Sequence, residues 1–546
     1  MSKSFLSYLA GLFDSDGHSD CSITFCVEVE GPRAPKRPRT RRSSSQHQSD
    51  AKQLRIKDLP AHLMVLCGGS THFAALYKKL ESEAPTVPSS GPGPSLFARP
   101  ELTFLLDSAE ELPYACAAVR FIYTGKLEPH ASIAELLQIR RQATRMQISG
   151  CVEKIDKVIS SRVTTTAGVK ELYSCRHLLP PADEVPSTAA LIGICRKHLT
   201  HNCGAYIATL QSAAALGELL AWLFPDAASV LSDPDTRLQM QALPAAAMES
   251  LFRCDAFAAD NEASVLLMLA YWLTANSSST GSETRVRLCH LIRLSQLNTA
   301  YLHGLLPKIT WFPLTREEHQ FLCQYLAETD ATRRKSLAVA AQGKHDCTSP
   351  WYTAKPRPIT RTDAGKPYDW MVMQQDLAAD LDLVSHKIPR GLTGTFSNGA
   401  SRLVAHGFEW YPGGLWFNSD GMSEAVLSCA VPAPFAAFTS ARDVVGVVSV
   451  EAQISVFRWR EGGRGDGATD ATSCVPSVRR EEATRKTYGN DDVVTVTSGS
   501  TGDGWRLLLL GKCIRKEAGA SMRLMPLLAP YLHDGKLSGS VTFWAH

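Results

Sequence analysis

The stretch Ala61-His62-Leu63-Met64-Val65-Leu66-Cys67-Gly68-Gly69-Ser70-Thr71-His72-Phe73-Ala74-Ala75-Leu76-Tyr77 decides how the first third of this chain is read. A histidine opens an apolar run, two glycines break it, and a serine restarts a helix with an aromatic three residues on. Val65 and Leu66 are spaced to pack inward from one short helix. Ser70 is a good N-cap for the next, because its hydroxyl accepts from the free backbone N–H groups of a first turn. Phe73, Leu76, Tyr77 and Leu80 then recur at the three-and-four spacing of one helical face. The stretch predicts two short helices joined by a tight Gly-Gly corner.

Outward from that corner, other pieces fall into order. Phe13-Asp14 and Ser19-Asp20-Cys21-Ser22-Ile23-Thr24-Phe25 lie upstream, and residues 53–60 supply a second strand. Leu102-Thr103-Phe104-Leu105-Leu106 reads as a third strand, followed by Phe121-Ile122-Tyr123-Thr124-Gly125-Lys126-Leu127. Leu136-Leu137, Ala143, Met146-Gln147-Ile148 and Cys151 come next. This succession resembles the BTB/POZ family, with its His-x-x-Val-Leu and Ser-x-x-Phe motifs and its aromatic-Tyr-Thr-Gly signature. The resemblance implies an α+β domain over residues 1–162 that pairs with itself and binds a cullin-3 scaffold. It makes Phe73, Leu76, Tyr77, Leu80 and Tyr123 the cullin contacts, and His62 a structural, hydrogen-bonded histidine. The N-terminal helix, Phe5 to Phe13, carries Leu6, Leu9 and Leu12. Two readings of these leucines stand: contacts of a homodimer, by resemblance, or packing on their own domain. One departure is visible. The family's apolar-x-Glu cullin motif is replaced by Leu80-Glu81-Ser82-Glu83, in which Glu83 comes one residue late.

At 546 residues the chain should divide into about three or four domains. Its net charge of +3 gives no global field pointing to nucleic acid or membrane. No apolar run approaches the ~20 residues that span a bilayer, so no membrane partner is expected. Met1 to Leu12 makes a poor signal peptide. The 15 cysteines follow no framework and sit mostly in apolar runs, which suits reduced thiols in the nucleus or cytoplasm.

Two inserts break the first domain. Residues 31–52 hold Arg33, Lys36, Arg37, Arg39, Arg41 and Arg42 among prolines, then a Ser/Gln run, with nothing apolar to bury, so a disordered loop is expected. A solvated basic block of this kind fits an importin groove as a nuclear-localisation-like segment, or serves solubility alone. Nucleic acid is the least favoured partner. Residues 84–100 are a second loop, rich in Pro, Ser and Gly. In the helices of 111–160, Arg140, Arg141 and Arg145 read as a solvated basic face.

After Arg162 a polar link leads to helices over 187–312: Leu243-Pro244, Glu262 opening a helix that ends in Tyr271-Trp272, and Leu291-Ile292-Arg293-Leu294. This resembles the all-α BACK domain, which implies a rigid spacer. Glu262 and Arg293 read as a possible internal ion pair. Residues 313–364 read as a helix (Glu317 to Leu326) and a linker. From 365 to 546 the pattern turns to alternation with glycine turns. Strands are expected at 407–411, 414–418, 425–430, 444–458, 493–497, 505–511 and 537–545, with a turn at Gly413-Gly414 and a long loop from Glu461 to Glu482. That implies an all-β sandwich. Trp410-Tyr411-Pro412-Gly413-Gly414 and Asp534-Gly535-Lys536-Leu537-Ser538-Gly539-Ser540-Val541 are similar to a MATH/TRAF-like sandwich.

Possible sites of chemistry are few. Cys195, His198, His201 and Cys203 drift off one helical face, whereas zinc needs converging ligands. Gly462 to Gly467 lacks the Lys-Ser/Thr of a phosphate loop. No nucleophile, base and orienter are placed together, so neither enzyme activity nor a cofactor is expected. The family resemblance instead implies a substrate-recruiting adaptor of a cullin-3 ubiquitin ligase, holding an unidentified protein target on the C-terminal sandwich. The rival is a nuclear transcription cofactor or scaffold that moves no ubiquitin, which the late Glu83 and the basic segment favour. A third reading, carbohydrate or lipid binding through Trp410 and Trp416, yields to burial of both rings.

Overall fold

Cys21, Ile23 and Phe25 alternate with Ser22 and Thr24, and the run forms β1 (Cys21–Val29). It pairs antiparallel with β2 (Lys52–Ala61) and parallel with β3 (Glu101–Leu106), giving the order β2-β1-β3. Phe25 and Phe104 meet edge to face in its core. The computed structural model describes residues 3–29, 52–83, 99–210, 212–359, 365–376, 394–397, 399–417, 423–436, 444–449, 452–461, 478–488, 493–497, 504–510 and 529–543. These belong to two units, Met1–Leu199 and Thr200–His546.

In the first unit α1 (Lys3–Leu12) precedes the sheet, α2 (Leu63–Gly69) and α3 (Thr71–Glu83) follow β2, and α4 (Leu112–Thr124) follows β3. Gly125 ends α4 in the left-handed conformation, φ 60°, returning its N–H to Phe121 O. Helix α5 (Ile133–Arg145) begins with a capping box. Ser132 Oγ accepts from Glu135 N at 3.2 Å, and the Glu135 carboxylate accepts from Ser132 N at 2.7 Å. That backbone bond holds the Glu135 carboxyl below the usual carboxylate range. Ser132→Ala is expected to cost about 1 kcal/mol, measured as a shift of the urea midpoint.

Of the three arginines of α5, Arg141 is exposed as expected, whereas Arg140 is buried and Arg145 half-buried. Arg140 is buried against Asp156 at 2.8 Å and donates to Ser187 at 2.9 Å. Arg141 and Arg145 reach the nearly buried Glu111 at 3.1 and 3.2 Å. Their partners, on β3's exit, α6 (Cys151–Arg162) and beyond, lie too far along the chain for periodicity to show. The expected polar link after Arg162 also holds a helix, α7 (Thr166–Ser174), whose Glu171 accepts from Ile133 N at 2.7 Å. Helix α8 (Pro186–His201) follows.

The second unit opens with short helices: α9 (Cys203–Thr209), α10 (Ala213–Leu223), α11 (Ala227–Ser232), α12 (Pro234–Gln241) and α13 (Ala245–Arg253). At its centre is α14 (Glu262–Ala275), capped by Asn261 and buried from Glu262 to Leu273 on every side. Next come α15 (Ser282–Cys289), a π-helical turn (Ala300–Leu305), α16 (Arg316–Ala327) and α17 (Ala331–Ala340). The expected Glu262–Arg293 ion pair is not formed. Glu262 pairs with Arg357 at 2.9 Å, each side chain 1 % exposed, while the Arg293 guanidinium takes Asp255 at 2.9 Å. Residues 351–359, read as linker, are likewise packed: Trp351 donates to Cys289 O and Ser295 to Thr353 O.

The strands that follow are β4 (Lys366–Met373), β5 (Thr395–Phe396), β6 (Leu403–Ala405), β7 (Phe408–Phe417) and β8 (Ser423–Ala430). They continue with β9 (Val444–Ser449), β10 (Ala452–Glu461), β11 (Val478–Tyr488), β12 (Val493–Thr497), β13 (Gly504–Leu510), β14 (Leu532–His533) and β15 (Lys536–Phe543). All pair antiparallel, in the orders β11-β10-β15-β4-β5 (β14 beside β15), β13-β8-β7-β6 and β12-β9. Trp410 and Phe543, both fully buried, bring the two larger sheets together at 5.1 Å. Gly413-Gly414 is a bulge inside β7 and not a turn, since the register slips between Pro412 and Leu415. The expected strand 444–458 is two strands, and the expected loop to Glu482 already contains β11 from Val478.

Helices and strands of this unit interlock. Ser232 Oγ at the end of α11 accepts from Val404 N at 2.8 Å. Asp260 accepts from His406 N at 2.6 Å, and Ser264 of α14 from Gly407 N at 2.9 Å. Glu409 of β7 is buried among Arg402 at 3.1 Å, Tyr411 at 2.9 Å and the Tyr271 hydroxyl of α14. The protein is therefore of mixed α and β content with several small sheets. Among the described residues no helix is long and apolar enough to cross a membrane.

Candidate functional site

The α2–α3 hairpin is held by a closed set of hydrogen bonds. His62 N donates to Tyr123 Oη at 3.0 Å, and its ring Nδ1 lies 3.3 Å from the same oxygen. Nε2 lies 3.2 Å from Gly17 O. With Nε2–H donating to that carbonyl, Nδ1 is left to accept the Tyr123 hydroxyl proton, so one tautomer satisfies every group. Burial pushes the Tyr123 phenol up to about 12. Leu63 N, free at the start of α2, is taken by Asp20 at 2.8 Å.

Ser70 sits between the helices in extended backbone. Its Oγ accepts from Phe73 N at 3.1 Å and donates to Met146 O at 2.5 Å, so the cap also ties α3 to the end of α5. The glycines close the last turn of α2 instead of bending the chain. Gly69 is needed for close approach: a Cβ there would meet Ile122 Cγ2 of α4 at 2.3 Å.

This geometry sorts the expected contact residues. Phe73 and Tyr123 are core side chains, 0 % and 1 % exposed, so neither can touch a partner in the folded protein. Sequence spacing placed them on a face with their neighbours but could not tell its buried edge from its open one. Leu76 and Tyr77 are half-buried, Leu80 is 39 % exposed, and Met64 of α2 is 81 % exposed. The Tyr77 hydroxyl bonds Glu81, which raises its pKa. On α1, Leu9 and Leu12 are half-buried and Tyr8 is 58 % exposed, while the side chain of Leu6 lies outside the described residues. So do Arg33, Lys36, Arg37, Arg39, Arg41 and Arg42, the loop 84–98, the glycines of 462–467 and the side chain of Trp416.

Cys195 is a core thiol that burial pushes up to about 12, and His198 Nε2 lies 3.4 Å from Thr166 Oγ1. Trp410 is fully buried and donates to Ala405 O at 3.0 Å. Among the described residues one group does bring metal-ligand atoms together: His303, His319 and Cys323, all within 4.8 Å. Sequence reading missed it, because its only local signal is the His-x-x-x-Cys of α16. No family model matches this chain, and no curated protein matches it.

Proposed function

We propose that this chain is a non-catalytic adaptor of the BTB/POZ–BACK kind, with a MATH-like sandwich at its C-terminal end. In this reading the first unit pairs with a second copy and docks a cullin-3 scaffold, while the strands near the C-terminus hold a protein target. Nothing is gained in bond chemistry. Ubiquitin transfer speeds up because the target's lysines are held at high local concentration.

The observation that carries the reading is the open side of the α2–α3 hairpin. Its inner side is locked to α4 and α5 through His62, Tyr123 and Ser70, so Leu76, Tyr77 and Leu80 are presented on a rigid support. Tyr77 is the aromatic that interface hot spots favour, and Leu76 and Leu80 beside it add apolar contact area around that anchor. Tyr77→Ala in the full-length protein is expected to weaken cullin-3 capture at least about tenfold with an unchanged thermal transition. Absence of cullin binding by wild type at micromolar concentration would sink the adaptor reading and leave the nuclear cofactor, which the late Glu83 and the basic segment favour.

A further inference from the structure

The π-helical turn Ala300–Leu305 leaves one carbonyl over. Leu306 N reaches back to Tyr301 O instead of Leu302 O, and Pro307 has no N–H to offer. Leu302 O is taken by a side chain, His319 Nε2 of α16, at 2.8 Å. The same turn carries His303. Its Nδ1 lies 3.7 Å from Cys323 Sγ, and Sγ lies 3.6 Å from His319 Nε2. His319 and Cys323 are one helical turn apart, so they share a face.

We propose that His303, His319 and Cys323 bind one zinc ion, with the fourth position open to water or an outside ligand. With bonds of about 2.05 Å to nitrogen and about 2.3 Å to sulfur, a tetrahedral centre has N···S edges of about 3.6 Å. Both N···S distances already match that edge. The donor set excludes Mg²⁺ and Ca²⁺, which take oxygen ligands, and suits a borderline-soft ion with no preferred d-electron geometry. His303 is exposed and His319 and Cys323 are half-buried, so the ion can enter from solvent.

Binding balances without a redox partner. The Cys323 S–H bond breaks, its electron pair forms the Zn–S bond, and the proton goes to solvent. His319 exchanges its Nε2 proton for one on Nδ1 and stays neutral, releasing Leu302 O. His303 binds through Nδ1 with its proton on Nε2. One proton leaves per zinc. The ion would fasten the wide turn to α16 in place of the His319–Leu302 bond and the His303–Cys323 contact that join them without it.

The test uses metal-stripped full-length protein titrated with Zn²⁺ against a chromophoric chelator. Wild type is expected to hold one more tight equivalent than Cys323→Ser. His303→Ala, at an exposed position, should weaken that equivalent at least about 100-fold with unchanged far-UV circular dichroism. Cys254→Ser, in α13's C-cap, should bind as wild type does. Cobalt(II) in place of zinc should show tetrahedral d–d bands and a sulfur-to-cobalt charge-transfer band, the latter lost in Cys323→Ser. Equal zinc affinity and stoichiometry in wild type and His303→Ala, or a cobalt spectrum without the sulfur band, overturns the assignment.

Discussion

Arg357→Ala is expected to destabilise the second unit by about 3–5 kcal/mol, a loss out of scale for a residue in what reads as an interdomain tether. Arg357 Nε lies 2.9 Å from one oxygen of Glu262 and Nη2 3.4 Å from the other, and each side chain is 1 % exposed. Its guanidinium also lies over the Phe257 ring at 5.5 Å. Truncation leaves the Glu262 carboxylate buried with, among the described residues, only Arg293 N, at 3.0 Å, still donating to it. An uncompensated buried charge is what makes such losses large. The double variant Glu262→Gln, Arg357→Met removes both charges and should recover most of the loss, because a buried pair adds little beyond a well-packed neutral substitute. Urea midpoints followed by tryptophan fluorescence measure both. An Arg357→Ala midpoint equal to wild type would mean that residues 351–359 do not sit on α14.

Residues that act on near neighbours were legible in the sequence, and residues that act on distant ones were not. The strands β1 to β3 and the helices around Ser70 follow from alternation, a serine cap and glycine stops within a few positions of each other. Arg357 is 95 positions from Glu262 in the chain, so Arg293, which is nearer in sequence and follows the same helix, was the natural but wrong partner. Arg140 looked like surface for the same reason. The first residues of β11, Val478-Arg479-Arg480-Glu481-Glu482, fall within the loop expected from Glu461 to Glu482, because they continue its polar, arginine-bearing composition. The strand is the edge of its sheet, where charge is tolerated and keeps other strands from adding. Gly413-Gly414 misled in the opposite direction, since a bulge and a turn both call for glycine. In the candidate site, spacing found the helix face of Phe73, Leu76, Tyr77 and Leu80 but not its orientation. Orientation depends on Met146, just past the end of α5, and on Ile122 of α4.

Gly407→Ala should cost about 3–5 kcal/mol, and it bears on the larger question of whether helices and strands here are separate bodies. Gly407 has φ 83°, a conformation that side chains resist, and a Cβ there would meet Ala263 Cβ at 2.6 Å and the Tyr301 ring at 2.9 Å. Neither neighbour can yield easily. Ala263 is on the buried α14, and the Tyr301 hydroxyl is bonded to Gly407 O. Gly399→Ala separates the two causes, since its φ is 77° but nothing lies within 4 Å, so it should cost only about 1 kcal/mol. The larger loss should also be cooperative. His406 and Gly407 donate to Asp260 and Ser264, and Asn298 donates to His406 O at 3.0 Å, so the turn between β6 and β7 is part of the packing of α14. Loosening it should move the helical circular-dichroism transition and the fluorescence of Trp410 and its neighbours to the same lower urea concentration. A C-terminal sandwich folding on its own would instead keep its fluorescence transition while the helical one moved. That outcome would restore the expected spacer-and-sandwich division at residue 365 in place of one interlocked unit.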